Sequence, residues 1–148
     1  MSKNFLGEYE NAIHKGRIVF PAPFKELFSE EAENKVVCTL GKHNSILIYP
    51  LDNWHALREK LFNGGIEQRE LWEFFVHWAS PPQELEGPGR IRISDKLLEG
   101  ADLLKAEKLV IKGHDSFITL WHPDRFKSIV ETEKKVIPKN LNFSDIQV

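Results

Sequence analysis

With Cys38 as its only cysteine, the chain cannot close an internal disulfide. That residue sits in the apolar run Val36-Val37-Cys38-Thr39-Leu40, where it reads as a small buried hydrophobe kept reduced. The histidines (14, 43, 55, 77, 114 and 122) include no pair at helical i, i+4 spacing and no His-Glu-x-x-His, so no metal site is expected. Gly7, Gly16 and Gly41 are isolated, and Gly64-Gly65 is not followed by Lys-Ser or Lys-Thr, which excludes a phosphate loop. No Gly-x-Ser-x-Gly elbow presents a nucleophile. The expectation is a protein without catalytic residues or cofactor. Long apolar runs are also missing: nothing approaches the roughly 18 residues of a spanning helix, and the N-terminus lacks the apolar core of a secretory signal. A cytoplasmic location follows. With 20 Lys and Arg against 22 Asp and Glu, the formal net charge of −2 gives no global basic coat for nucleic acid.

What the chain does contain is a repeat. His14-Lys15-Gly16-Arg17-Ile18-Val19-Phe20-Pro21 returns as Gly87-Pro88-Gly89-Arg90-Ile91-Arg92-Ile93-Ser94. In both copies a Gly-Arg step opens a short run of alternating apolar residues, the period of a half-buried strand. Laying Arg17 on Arg90 places Phe24 on Leu97. After a slip of one residue, Gly41 falls on Gly113, Ile46 on Ile118, Ile48 on Leu120, Tyr49 on Trp121, Asp52 on Asp124 and Trp54 on Phe126. Two copies are too few for a solenoid, so a pseudo-twofold pair packed on itself is expected.

Taken in order, residues 8–13 and 17–20 read as strands of a first hairpin, with a short helix over 22–28 that turns Phe24, Leu27 and Phe28 inward. Residues 35–40 and 45–49 form a second hairpin around Gly41-Lys42-His43-Asn44. Asp52 is the expected N-cap of a helix carrying Leu51, Trp54, Leu57 and Leu61, which Asn63-Gly64-Gly65 stops. Another helix over 67–79 gathers Leu71, Phe74, Phe75 and Trp78 on one face. This aromatic segment is expected to pack on the strand units, with a subunit interface as the alternative. The second half repeats the scheme: a hairpin over 83–86 and 90–93, a helix over 95–99, a hairpin over 108–112 and 117–121, and a helix from Pro123 to Val130. Beyond it the tail shows little periodicity and reads as mobile.

Charge is placed by the repeat. Between Asn11 and Lys25 stand Lys15, Arg17 and Lys25, with His14 beside them and no acid. In the second copy the pleat puts Arg90 and Arg92 on one face and Ile91 and Ile93 on the other. A basic rim on a strand pair suits DNA, because a guanidinium fork grips phosphate oxygens or a guanine edge. Glu84 and Glu86 lie beside Arg90 and weaken the second copy.

Gly7-Glu8-Tyr9-Glu10, Lys15-Gly16-Arg17-Ile18-Val19-Phe20-Pro21, Tyr49-Pro50-Leu51-Asp52-Asn53-Trp54 and Glu84-Leu85-Glu86-x-x-Gly89-Arg90-Ile91, in this order and spacing, resemble the MraZ family of bacterial transcriptional regulators. The resemblance runs from about Phe5 to about Val130. It implies an α+β fold: two tandem SpoVT/AbrB-type swapped-hairpin units, over 5–53 and 81–130, interlock into a barrel-like core. A helical connection over 54–80 joins them, and the mobile tail takes 131–148. It also implies a ring-shaped homo-oligomer that binds short direct repeats in double-stranded DNA ahead of the cell-division and cell-wall gene cluster, at the nucleoid. The family's exposed Asp-x-x-x-Arg places the DNA-contacting arginines at Arg17 and Arg90, with Lys15 before the first. His14 and Arg92 join them by charge placement.

The chain departs from this pattern: Ile13 stands four before Arg17, with His14 in the aspartate's slot. Glu86 stands four before Arg90, Gly87-Pro88-Gly89 lacks the preceding Lys or Gln, and Ser94 replaces proline. Arg17 therefore has no carboxylate to orient it. Two other readings stay open. One is a swapped-hairpin adaptor that binds protein through the aromatic segment from Trp54 to Trp78, in the manner of antitoxins. The other is a small enzyme that assembles His43, His114 and Asp115 at matched hairpin tips.

Overall fold

The computed structural model of the chain describes residues 1–131, so most of the expected tail lies outside the described residues. Among the described residues, eight strands and five α-helices follow in order: β1 (Glu8–Ala12), β2 (Arg17–Val19), α1 (Ala22–Lys25), β3 (Lys35–Leu40), β4 (Ile46–Pro50), α2 (Leu51–Phe62), α3 (Ile66–Trp78), β5 (Gln83–Glu84), β6 (Arg90–Arg92), α4 (Asp95–Gly100), β7 (Lys108–Gly113), β8 (Ile118–Trp121) and α5 (Pro123–Arg125). A π-helical turn, Phe126–Glu131, continues α5. The class is α+β.

Six strands form one sheet in the order β1-β7-β8-β4-β3-β5, every pair in it antiparallel, and β2 and β6 pair as a separate ribbon. The large sheet does not close: β1 and β5 are its edges. Pro81 and Pro82 precede β5 and carry no N–H to extend its ladder, which holds that edge strand to two residues.

The first hairpin of each half differs from the sequence expectation. β1 does not run beside β2 but beside β7, from Glu8 opposite Lys112 to Ala12 opposite Lys108. β5 likewise pairs with β3, and only single bridges, His14 to Arg17 and Glu86 to Arg90, close the turns. Strands of one half therefore find partners in the other. At β4 and β8 the register matches residues symmetrically: Ile46 faces Leu120, Leu47 faces Thr119 and Ile48 faces Ile118. The residues matched by the repeat thus exchange places across this pair.

One core runs between the sheet and the ribbon. Ile18, Phe20 and Phe24 from the first half meet Ile91, Ile93 and Leu97 from the second, above Ile46, Ile48, Ile118 and Leu120 of the sheet. Phe5 stacks edge-on against Phe24 and Phe28. Cys38 lies in this core, and burial pushes its thiol up to about 12, so it stays protonated and inert at neutral pH. On the other face of the sheet, Trp54, Leu61, Trp72 and Phe75 pack on Leu47 and Tyr49.

Helix α3 covers less than its periodicity predicts. Phe75 is buried and Trp78 packs on the main core, but Leu71 and Phe74 remain 44% and 42% exposed. The buried stripe follows Trp72 and Phe75 instead.

Asp52 is not the N-cap of α2, because the helix begins one residue earlier, at Leu51. Its carboxylate turns instead to the N-terminal segment: it accepts the Ser2 N–H at 2.7 Å and the hydroxyls of Ser2 and Ser29 at 3.0 and 2.8 Å. Asn53 donates to the carbonyls of Ser2 and Ser116, both at 2.7 Å. Burial alone pushes the Asp52 carboxyl up, but the hydrogen bonds from Ser2, Ser29 and the Asn53 backbone outweigh it and hold the group below its ordinary value. A depressed folded-state value stabilises the fold above the unfolded carboxyl range and loses that contribution as acid protonates the folded group. Asp52→Ala is expected to cost about 1–3 kcal/mol at pH 7, by stranding buried donors. In urea titrations at several pH values, its deficit against the unsubstituted chain should narrow below about pH 4; a deficit that stays constant into acid contradicts this.

Candidate nucleic-acid interface

The ribbon of β2 and β6 is three residues long on each side: Arg17 faces Arg92, Ile18 faces Ile91 and Val19 faces Arg90. Alternation sends the central pair inward, where Ile18 and Ile91 are 1% and 2% exposed. The four outer side chains, Arg17, Arg92, Arg90 and Val19, all face solvent.

Two turns hold this ribbon. Lys15 and Gly16, with φ of 51° and 76°, make a two-residue turn in which His14 and Arg17 exchange both backbone hydrogen bonds. A side chain at Gly16 would also start 3.0 Å from the Ile93 carbonyl. The second turn is one residue longer, Gly87-Pro88-Gly89, between Glu86 and Arg90. The ladder extends symmetrically: Ile93 donates to the Gly16 carbonyl at 2.7 Å and Phe20 to that of Gly89 at 2.9 Å.

Side-chain amides finish both outer edges. Asn11 donates to the Val19 carbonyl at 2.9 Å. On the other side, Gln83 donates to the Arg92 carbonyl at 2.8 Å and accepts the Arg92 N–H at 2.9 Å. These amides stand in for a third and a fourth strand and satisfy backbone groups at otherwise open edges.

The electrostatics follow from the register. Directly opposed side chains have Cβ atoms about 4.5–5.5 Å apart, and like charges there are destabilising; Arg17 and Arg92 are such a pair. Among the described residues none of the three guanidinium groups is in an ion pair. With Gln83, Glu86 and Ile91 they line a hollow of about 220 Å³. Three guanidinium groups thus share the hollow with one carboxylate, that of Glu86, and the balance is positive.

All five residues singled out in the sequence are exposed and belong to this ribbon or its first turn: Arg17, Arg90 and Arg92 on the strands, Lys15 at the turn and His14 at its base. Two neighbours of the ribbon, Asn11 and Gln83, escape sequence reading, and a third, Lys25, shows there only as a charge. Lys25 crosses the second turn, its Cγ and Cδ 2.7 Å from where a Cβ on Gly89 would stand. The edge amides Asn11 and Gln83 gave no signal beyond places ahead of each Gly-Arg step that match once the extra residue of the second turn is allowed for.

The hairpin tips meet elsewhere. His43 and His114 both line an apolar groove of about 830 Å³ between α3 and the sheet, with Leu71, Phe74, Phe117 and Trp121. His114 stacks on Phe117 and its Nε2 lies 2.8 Å from Thr119 Oγ1. Asp115 does not join them in an acid–base group. Its carboxylate accepts the Asn4 N–H at 3.0 Å and so ties down the N-terminal segment. Among the described residues no cluster of three or more His, Cys, Asp or Glu could hold a metal ion, and no helix is long and apolar enough to cross a membrane.

Fold and site together define an α+β protein with a duplicated sequence pattern and an exposed cationic β-ribbon built from both halves. Residues 5–70 match the family described as "MraZ protein, putative antitoxin-like". The chain is 36% identical over 146 residues to a transcriptional regulator MraZ of Alkaliphilus oremlandii, covering 96% of this chain and 93% of that one. It is 32% identical over 134 residues to that of Halothermothrix orenii (88% and 90% covered) and 28% identical over 129 residues to that of Thermus thermophilus (85% and 87% covered). The chain belongs to the MraZ family, whose relatives are named transcriptional regulators.

The opposed arginines make a prediction about the free protein. Arg92→Ala should stabilise the fold by about 0.2–1 kcal/mol in low salt, by relieving the charge pair, and the gain should shrink as salt screens it. Thermal or urea unfolding at two ionic strengths measures this; a loss of stability independent of salt contradicts it.

Proposed function

We propose that the chain is a sequence-specific DNA-binding regulator of transcription. In this reading it binds short direct repeats ahead of the bacterial cell-division and cell-wall gene cluster as a ring-shaped homo-oligomer, in the cytoplasm at the nucleoid. The observation that carries this is the ribbon of β2 and β6, with three guanidinium groups that face solvent and, among the described residues, make no ion pair. A two-stranded ribbon fits the major groove, where arginine forks bond guanine edges while Lys15 and His14 reach the backbone. The names of the MraZ relatives point the same way.

Two interlocked swapped-hairpin units, over 5–53 and 81–130 with a helical connection over 54–80, form the proposed frame. The pairing of β1 with β7, β2 with β6 and β5 with β3, each across the two halves, supports it. A single ribbon on a chain of net charge −2 neutralises few phosphates, so one protomer binds weakly. A ring brings several ribbons to successive repeats, and effective concentration multiplies weak contacts. The uncovered apolar side chains of α3, among them Leu71, Phe74 and Val76, support self-assembly. That same face favours one second reading, an adaptor that docks protein there. It would hold if an Arg17→Ala/Arg90→Ala double variant still performed the cellular role.

The test is an electrophoretic titration against DNA from upstream of the chain's own gene, with the size of the free protein measured alongside. Binding should need more than one repeat and fall steeply with salt. Arg17→Ala/Arg90→Ala should weaken it at least tenfold, with each lost phosphate contact flattening the logarithmic salt slope by about 0.9. Tight binding to a single repeat that ignores ionic strength, or an unchanged double variant, overturns the proposal. Phe74→Asp on α3 should lower the measured size of the free protein; an unchanged size contradicts assembly through that face.

A further inference from the structure

The local twofold of the ribbon passes between Ile18 and Ile91, exchanging Arg17 with Arg90 and Val19 with Arg92. The arginines of the first exchange are identical. The second exchange fails, because valine stands at one position and arginine at the other. One end of the ribbon therefore presents Arg17 beside Arg92, and the other presents Arg90 beside Val19. The turns break the symmetry in the same sense: Lys15 and His14 adjoin the Arg17 end, whereas Glu86 adjoins the Arg90 end. Lys25, lying over Gly89, offsets part of that acid.

This asymmetry matters on DNA because a duplex has local dyads of its own. A reader with twofold symmetry matches a palindromic site and fits it equally well turned end for end. Its ends must differ for it to sense direction. Along a strand, positions i and i+2 are about 7 Å apart, roughly two base-pair steps of 3.4 Å. The two ends thus face different base pairs. The Arg17 end offers two forks for guanine edges, and the Arg90 end offers one fork and an apolar contact suited to a thymine methyl group.

We propose that Arg92 is a specificity-determining residue that gives the ribbon a direction along the duplex. This rests on the DNA-binding reading above. Val19 is its counterpart: valine here and arginine there distinguish the ends, and transposing them reverses the preferred direction.

The test places a cleaving label at one end. Pro88 lies exposed in the second turn and Cys38 is fully buried, so Pro88→Cys can be labelled selectively with an iron chelate in the full-length chain. The probes are duplexes selected from a random-sequence pool by the otherwise unsubstituted chain. Cleavage is expected on one side of each protected block, 5′ or 3′, about tenfold over the other, the worth of one arginine–base contact. Arg92→Lys should keep that side. Arg92→Val should bring the two sides within about threefold, and Val19→Arg/Arg92→Val should move cleavage to the opposite side. Any other pattern in the transposed variant, including the original side, equal cleavage or no binding, overturns the proposal. A chain that protects no block even without substitution at 19 or 92 removes the DNA reading itself, and the inference with it.

Discussion

The cross-strand contact of Ile18 with Ile91 is the constraint on which the structure depends. A pair of three-residue strands has no stability of its own in water. It persists because both isoleucines, with Phe20 and Ile93 beyond them, are buried against the sheet. The ribbon therefore exists only where both halves of the chain are folded and joined. Its arginines come from the two halves of the sequence, and neither half alone would place two of them face to face. The reciprocal bonds from Ile93 to Gly16 and from Phe20 to Gly89 fix the register, and with it which charges oppose.

That register sets a conflict which the protein itself leaves unresolved. The chain carries slightly more acid than base, and acids pair with lysines elsewhere: Glu8 with Lys112 at 3.0 Å and Glu10 with Lys108 at 3.8 Å on the outer edge of the sheet. On the ribbon no acid among the described residues reaches a guanidinium group closely enough to pair. Glu86 lines the same hollow, leaving the cluster positive on balance while biasing one end. A local excess of positive charge held on a rigid frame, within a molecule of near-zero net charge, suits selective contact with a polyanion better than general adhesion.

The sequence disclosed the elements more clearly than their partners. Alternation marked β2 and β6, apolar runs marked β3, β4, β7 and β8, and Asn63-Gly64-Gly65 marked the end of α2, all local signals. Pairing is not local. Nothing between Glu8 and Val19 says that β1 will choose β7 over β2, since the turn at Lys15-Gly16 suits an ordinary hairpin equally well. Asp52 looked like a helix cap because its local context is that of one; its partners, Ser2 and Ser29, become neighbours only after folding. On α3 a periodicity that includes Leu71 and Phe74 could not say which side of the stripe the sheet would cover. The candidate site was the most legible part, because its cations repeat with the strand motif. Asn11 and Gln83 were hidden because they act on backbone across the turns, at Val19 and Arg92, and Lys25, visible as a charge, gave no sign that it would lie over Gly89.

The proposed function requires nucleic acid to meet both copies of the Gly-Arg motif at once, on one ribbon. Hydrogen–deuterium exchange of the full-length chain, with and without DNA from upstream of its own gene, tests this most directly. Peptides spanning 14–20 and 86–93 should gain protection together while those of α3 do not change. Protection of only one of the two, or protection centred on α3, would contradict it.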